Sequence, residues 1–140
     1  MTTLADRLSP TATRVASSTS RKVGERLRTR DDQRIAELAE GPPEALDARL
    51  ASLDHEWDIE RVLQANASTL ALTALVLGRR LDRRFLALPP VVFTFLLQHA
   101  LQGWCPPLPL FRRWGVRTAR EIARERYALK ALRGDFAEVP

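Results

Sequence analysis

The side chains best suited to chemistry lie together in the stretch LQHALQGWCPPLPL, residues 97–110. This stretch contains the only cysteine of the chain, Cys105, and one of its two histidines, His99. Pro106 and Pro107 follow the cysteine directly. A cysteine in this setting can be a nucleophile, a soft ligand for a metal ion, or the thiolate ligand of a haem. Each of these uses requires particular neighbours.

The spacing of the neighbours argues against all three uses. A nucleophilic cysteine needs a base nearby, and on a continuous helix His99 would project almost opposite to Cys105. The other histidine, His55, is remote in sequence. Zinc needs three or four ligands, and two histidines with one cysteine form no recognisable set. We therefore predict no catalytic residue, no metal site and no cofactor, and keep Cys105 as a candidate redox residue or soft ligand.

A structural interpretation explains the stretch better. Gly103 can end a helix, Trp104 can anchor it at a membrane interface, and the two prolines force the chain to turn. This interpretation makes the stretch the exit from a membrane and the entry to a basic helix.

Composition sets the limits for the elements around this stretch. The chain has 140 residues, enough for one modest domain, a net charge of +5 and a pI near 10.6. A single cysteine excludes an internal disulfide bond. Residues 1–20 contain no apolar run after the first charges and no sustained periodicity. We therefore predict no secretory signal there and an N-terminal tail that is disordered or loosely helical.

Hydrophobic patterning predicts helices throughout the rest of the chain. Residues 21–56 form charged amphipathic helices separated by prolines. Residues 62–78 and 85–104 contain no Asp, Glu, Lys or Arg, and each is long enough for most of a membrane crossing. Residues 118–140 comprise an amphipathic helix and a tail, with Thr118 and Glu121 forming a capping box at its start.

Two interpretations fit the apolar segments: core helices of a soluble bundle, or a membrane hairpin over residues 57–117. The flanks favour the hairpin. The three tryptophans lie on one side of the apolar segments, as in an interfacial aromatic belt, and arginines lie on the other side, where their long side chains can reach the interface. The predicted interface anchors are Trp57, Trp104, Trp114, Arg79, Arg80, Arg83, Arg84, Arg112 and Arg113. The predicted fold is all-α, a membrane helical hairpin flanked by amphipathic helices.

The first apolar segment is polar in its N-terminal half, where Gln64, Asn66, Ser68 and Thr69 lie. In lipid such side chains must face another helix, so we predict a helix contact there and an oligomer or a membrane-protein partner. More arginines flank the terminal ends of the two segments than lie in the turn, which favours termini in the cytoplasm. A re-entrant or monotopic hairpin stays open as a variant, because it would avoid translocating four arginines.

Residues 57–118 resemble the YgaP-like inner-membrane transmembrane domain, a small bacterial two-helix family of unknown function. The family motif corresponds here to Gly103, Cys105, Pro106, Gly115 and Thr118. The resemblance implies a location in the bacterial inner membrane. Some family members are fused to a sulfur-transferring rhodanese domain, and no such domain fits this chain, so sulfurtransferase activity does not carry over.

Three functional hypotheses result. The first is a non-enzymatic membrane hairpin that self-associates or holds a partner, with the lipid bilayer around it and no small-molecule substrate. The second is a soluble, basic, helical protein that binds nucleic acid, suggested by the high pI; acidic residues interleaved with the arginines argue against it. The third is a redox or sulfur-handling membrane protein that uses Cys105.

Overall fold

The computed structural model describes residues 10–137, and every regular element in that range is a helix. Seven α-helices and one 3₁₀ helix follow one another in this range. They are α1 (Arg14–Ser17), α2 (Arg21–Glu40), α3 (Pro43–His55), α4 (Ile59–Arg80), the 3₁₀ helix (Arg83–Ala87), α5 (Leu88–Gln102), α6 (Leu108–Arg113) and α7 (Ala119–Arg133). The predicted all-α fold is therefore confirmed.

Helices α2, α3 and α7 pack together, and we call this group the base. Its apolar core consists of Leu46, Leu50 and Leu53 from α3 with Ile122 and Leu129 from α7. The three leucines recur every three or four positions, and Ile122 and Leu129 lie seven positions apart, so each helix places its core residues on one face. Helix α7 begins with the capping box expected of Thr118 and Glu121 and ends at Gly134 in a left-handed conformation.

The base also has a buried ionic network, which the sequence did not predict. The guanidinium of Arg117 forms ion pairs with Glu56 at 2.7 Å, with Asp31 at 3.0 Å and with Glu125. Arg49 donates to both carboxylate oxygens of Glu125, at 2.8 and 2.9 Å. The network ties α2, α3 and α7 to the loop that precedes α7.

Helices α4 and α5 form a helical hairpin joined through the 3₁₀ helix. The buried face of α4 carries small residues, Ala67, Ala71, Ala74 and Gly78. A Cβ added at Gly78 would lie 2.7 Å from Cγ of Leu86, so this position needs glycine for close approach. Small residues at four-residue spacing are typical of closely packed membrane helices.

The polar residues of α4 that were predicted to form a helix contact do not lie on the face that packs against α5. Gln64, Asn66, Ser68 and Thr69 are all exposed, because the side of α4 that packs on α5 is the small-residue face. None of the four polar side chains is buried between α4 and α5, and a contact between molecules stays a prediction.

Of the two alternatives predicted for the tail, disordered or loosely helical, the described part contains a short helix. Helix α1 packs on the hairpin, and Val15 is buried with Ile59, Leu63, Cys105 and Leu108. Arg14 forms an ion pair with Glu60 at 2.8 Å. Long-range contacts thus order a segment that has no periodicity of its own; residues 1–9 lie outside the described residues.

The outward face of α5 is apolar, and the exposed side chains in the C-terminal half of α4 are mostly apolar. Within residues 10–137, the stretch Arg83–Gln102 is the one helical segment long and apolar enough to cross a membrane, and 11% of it is buried. Helix α4, which contains the predicted span at 62–78, is not such a segment; its polar N-terminal half is the reason. A hairpin is present, whereas its two membrane crossings stay a prediction.

The ionic network predicts how stability depends on pH. Burial alone would raise the pKa of Glu125, but hydrogen bonds from Arg49 and Arg117 and their positive charges lower it to about 2, from an ordinary value of 4.5. Because the folded pKa is the lower one, this stabilisation is complete above about pH 4.5 and is lost as the pH falls toward 2.

We expect Glu125→Gln to lower the free energy of unfolding by about 3 kcal/mol at neutral pH. The difference from the wild type should shrink as the pH falls from 4.5 to 2, as measured by denaturant unfolding in detergent solution. The control Glu25→Gln removes an exposed carboxylate paired with Arg21 and should leave the curve unchanged. A wild-type advantage that does not vary with pH would contradict the assigned role.

Candidate functional site

The turn after α5 determines where Cys105 lies. Gly103 has a φ of 75°, in the left-handed region, and its N–H donates to the carbonyl of His99 at 2.8 Å. This conformation ends the helix and reverses the chain. Cys105 consequently lies beside the imidazole of His99, and the expectation that the two side chains point in nearly opposite directions is wrong. The error came from extending α5 through Gly103.

His99 is 2% exposed and contacts a carboxylate on the neighbouring helix. Its Nε2 lies 3.1 Å from Oε2 of Glu60, which belongs to the first turn of α4. The other carboxylate oxygen, Oε1, accepts a hydrogen bond from Arg14 at 2.8 Å. The hydrogen bond with His99 lowers the pKa of Glu60; burial opposes this, and the charges of His99 and Arg14 add to it. Glu60 is therefore a carboxylate at neutral pH.

Together these residues form a thiol, an imidazole and a carboxylate in sequence, which we call the Cys-His-Glu cluster (Cys105, His99 and Glu60). A carboxylate that orients an imidazole, which in turn lies beside a thiol, is the arrangement used to activate cysteine nucleophiles. Sequence reasoning missed Glu60 and Arg14. The only signal for Glu60 was its place among acidic residues at a helix start, which the helix dipole explains equally well.

An apolar groove of about 380 Å³ lies between α4 and α5. Apart from Asn66, the lining residues contributed by the two helices are apolar: Leu63, Ala67, Leu70, Leu88, Val91, Val92, Phe95 and Leu96. We call this the hairpin groove. Cys105, Pro106 and Pro107 also line it, and Cys105 is the member of the Cys-His-Glu cluster that borders it. Cys105 is 4% exposed.

The predicted interface anchors divide into two groups. The three tryptophans are exposed, as are Arg79, Arg80, Arg83, Arg84 and Arg113. Arg112 is different, and its prediction as an interface anchor is wrong. It is 1% exposed, and it donates to both carboxylate oxygens of Glu121 at 2.7 Å. It faces inward because Glu121 and the carbonyl of Val116 satisfy its charge there.

The remaining residues of the family motif lie in turns or at the start of a helix. Pro106 is exposed, and Thr118 caps α7. Gly115 has a φ of 93°, which explains glycine at that turn. Within the part of the chain that the structure describes, no group of three His, Cys, Asp or Glu residues could hold a metal ion.

Comparison of the chain with protein-family models, with curated proteins and with solved structures found no match. The resemblance to the YgaP-like domain therefore stays a prediction.

The turn at Gly103 yields a prediction with a matched control. A Cβ at Gly103 would overlap the backbone carbonyl of Arg14, whereas one at Gly134, with a similar φ of 89°, would meet nothing within 4 Å. Gly134→Ala should therefore cost only the left-handed conformation, about 1–2 kcal/mol. Gly103→Ala should cost more, because α1 must also move.

The measurement is the free energy of unfolding of both variants in detergent solution. Equal losses for Gly103→Ala and Gly134→Ala would contradict the close packing of α1 on the turn.

Proposed function

We propose that this chain is a bacterial inner-membrane protein whose hairpin lies in the bilayer and whose base lies at the cytoplasmic surface. The observation that carries the proposal is the exposure of large apolar side chains around the hairpin. Those on α5 are Val91, Phe93, Phe95, Leu97 and Leu101. Exposed apolar residues also lie in the C-terminal half of α4, at Leu70, Leu72, Leu75 and Val76, and a large exposed apolar patch is rare on water-soluble monomers. A bilayer would cover it completely.

The distribution of charge supports the same proposal. Formal charges lie at the two ends of the hairpin and in the base, and residues 62–78 and 85–104 carry none. Trp57 and Trp104 are exposed at the end nearest the base, and Arg61 stacks over the ring of Trp57 at 4.4 Å. Aromatic rings at one end and arginines at the other fit the two interfaces of a membrane.

The hairpin is proposed to act by association rather than by catalysis. Exposed Gln64 and Ser68 occupy one flank of α4, and exposed Asn66 and Thr69 occupy the other. Polar side chains facing hydrocarbon are costly, and a second helix satisfies them. A second copy of the chain, or another membrane protein, therefore suits these flanks.

The alternative of nucleic-acid binding has less support. Several arginines that raise the pI are paired with carboxylates, and the buried ones among them are not available to phosphates. These arginines are Arg34, Arg49, Arg112, Arg117, Arg124, Arg126 and Arg133.

Membrane retention tests the proposal. Phe93 lies near the middle of α5 and is 53% exposed, so Phe93→Lys is neutral for a soluble protein but costs about 2.5–3.5 kcal/mol in a bilayer. We expect the wild type to stay in the membrane pellet after a carbonate wash and Phe93→Lys to be lost from it. Tyr127→Lys, at an exposed site of the base, is the matched control and should be retained.

Recovery of the wild-type protein in the soluble fraction would overturn the membrane proposal. The retained protein, solubilised in a mild detergent, should have the mass of an oligomer or of a complex. A monomer without a partner would contradict the proposed association.

A further inference from the structure

The hydrogen bonding of His99 defines which ring nitrogen can act as a base. Glu60 as a carboxylate only accepts hydrogen bonds, so Nε2 of His99 carries the proton that it donates to Oε2. With one proton on the ring, the lone pair is on Nδ1, and a second proton taken up there gives the charged ring that lowers the pKa of Glu60. Within the described residues, this nitrogen is buried and has no hydrogen-bond partner that meets normal geometry. An unpartnered buried acceptor beside a thiol is what proton abstraction from that thiol requires.

The hairpin groove indicates what the thiol could react with. The groove runs along about two turns of α4, from Leu63 to Leu70, and Cys105 is one of the residues that line it. Its walls are hydrocarbon except for Asn66, and it contains no formal charge. A long alkyl chain fits such a surface, whereas a charged or sugar-like molecule would lose its hydration without compensation.

The number of thiols restricts the chemistry further. With one cysteine in the chain, an internal disulfide cannot form, and other oxidations would require an oxidant. Acyl transfer needs one thiol and one base, both of which are present. We propose that Cys105 is an acylation site that takes a fatty acyl group from a fatty acyl thioester and holds the alkyl chain in the hairpin groove.

The step balances without any redox partner. Nδ1 of His99 takes the proton of Cys105, and the thiolate attacks the carbonyl carbon of the acyl thioester. A new carbon–sulfur bond forms at Cys105, the carbon–sulfur bond of the donor breaks, and the donor leaves as a thiolate. His99 then gives the proton to that thiolate, and Glu60 orients the imidazole and stabilises its protonated form. This inference goes beyond the proposed association of the hairpin and does not depend on it.

The experiment uses the full chain in lipid nanodiscs and the octanoyl thioester of N-acetylcysteamine as the donor. Intact mass spectrometry should show the addition of one octanoyl group, which neutral hydroxylamine removes as it does other thioesters. Cys105→Ser should show no hydroxylamine-sensitive adduct. A wild-type chain that remains unmodified would overturn the proposal.

Two variants test the cluster behind the thiol. His99→Gln should slow acylation by about 100-fold, the lower end of what a general base contributes, while His55→Gln, at the exposed histidine, should leave the rate unchanged. Glu60 is a positioning residue. Glu60→Gln should move the pH midpoint of the acylation rate to lower pH, because the neutral amide no longer stabilises the protonated imidazole and no longer offsets the positive charge of nearby Arg14. An unchanged rate in His99→Gln would overturn the assigned base.

A third variant tests the groove independently of whether His99→Gln folds. Leu70→Trp fills the groove and keeps both the thiol and the imidazole, so it should slow transfer from the octanoyl donor more than transfer from the acetyl thioester. Leu72→Trp, on the exposed outer face of α4, is the matched control and should change neither rate. If Leu70→Trp slowed transfer from both donors equally, the hairpin groove would not be the binding site of the alkyl chain.

Discussion

Arg117 joins the hairpin to the base, and the position of every other part depends on this connection. Its side chain is 4% exposed and pairs with Glu56, Asp31 and Glu125. Its carbonyl accepts the N–H of Ile59, the first residue of α4, at 2.8 Å. Buried charges are tolerated only when their partners are well placed, so this network favours one arrangement. Because Glu60 follows Ile59, the same connection places the carboxylate that meets His99.

Polar and apolar side chains are distributed in opposite ways in the two halves of the molecule. In the base, the charges of Arg112, Arg117 and Glu125 point inward, while the hairpin directs Phe93 and Leu97 outward. In the proposed arrangement, the base lies in water and satisfies its own charges, whereas the apolar surface of the hairpin lies in hydrocarbon. The Cys-His-Glu cluster lies where the two halves meet.

Local signals in the sequence were sufficient for much of the fold. The capping box of Thr118 and Glu121 marks the start of α7 in the sequence. The three- and four-residue spacing of Leu46, Leu50 and Leu53 marks the buried face of α3. Such features depend on neighbours three or four residues away, so periodicity and capping rules reveal them.

Contacts between distant residues could not be predicted in this way. Arg14 meets Glu60 across 46 positions, so a segment without periodicity is ordered. Arg112 was expected at the interface because an arginine beside an apolar run is usually exposed. Only the fold shows that Glu121 lies close enough to pair with its buried charge. His99 and Cys105 are close because the backbone of Gly103 is in the left-handed conformation. A helix extended past Gly103 would have placed the two side chains on opposite sides.

The topology of the hairpin is the most direct test of the account. Leu81 is exposed and lies in the turn after α4, and it is replaced by cysteine in a Cys105→Ser background. The outer membrane of cells that contain this variant is permeabilised. The cells are then treated with a thiol reagent that cannot cross the inner membrane. A cysteine at Tyr127 of the base serves as the comparison. The account predicts that the Leu81 position is labelled in intact inner membranes and that the Tyr127 position is labelled only after they are broken. Labelling of both positions only after breakage would contradict a hairpin that crosses the bilayer.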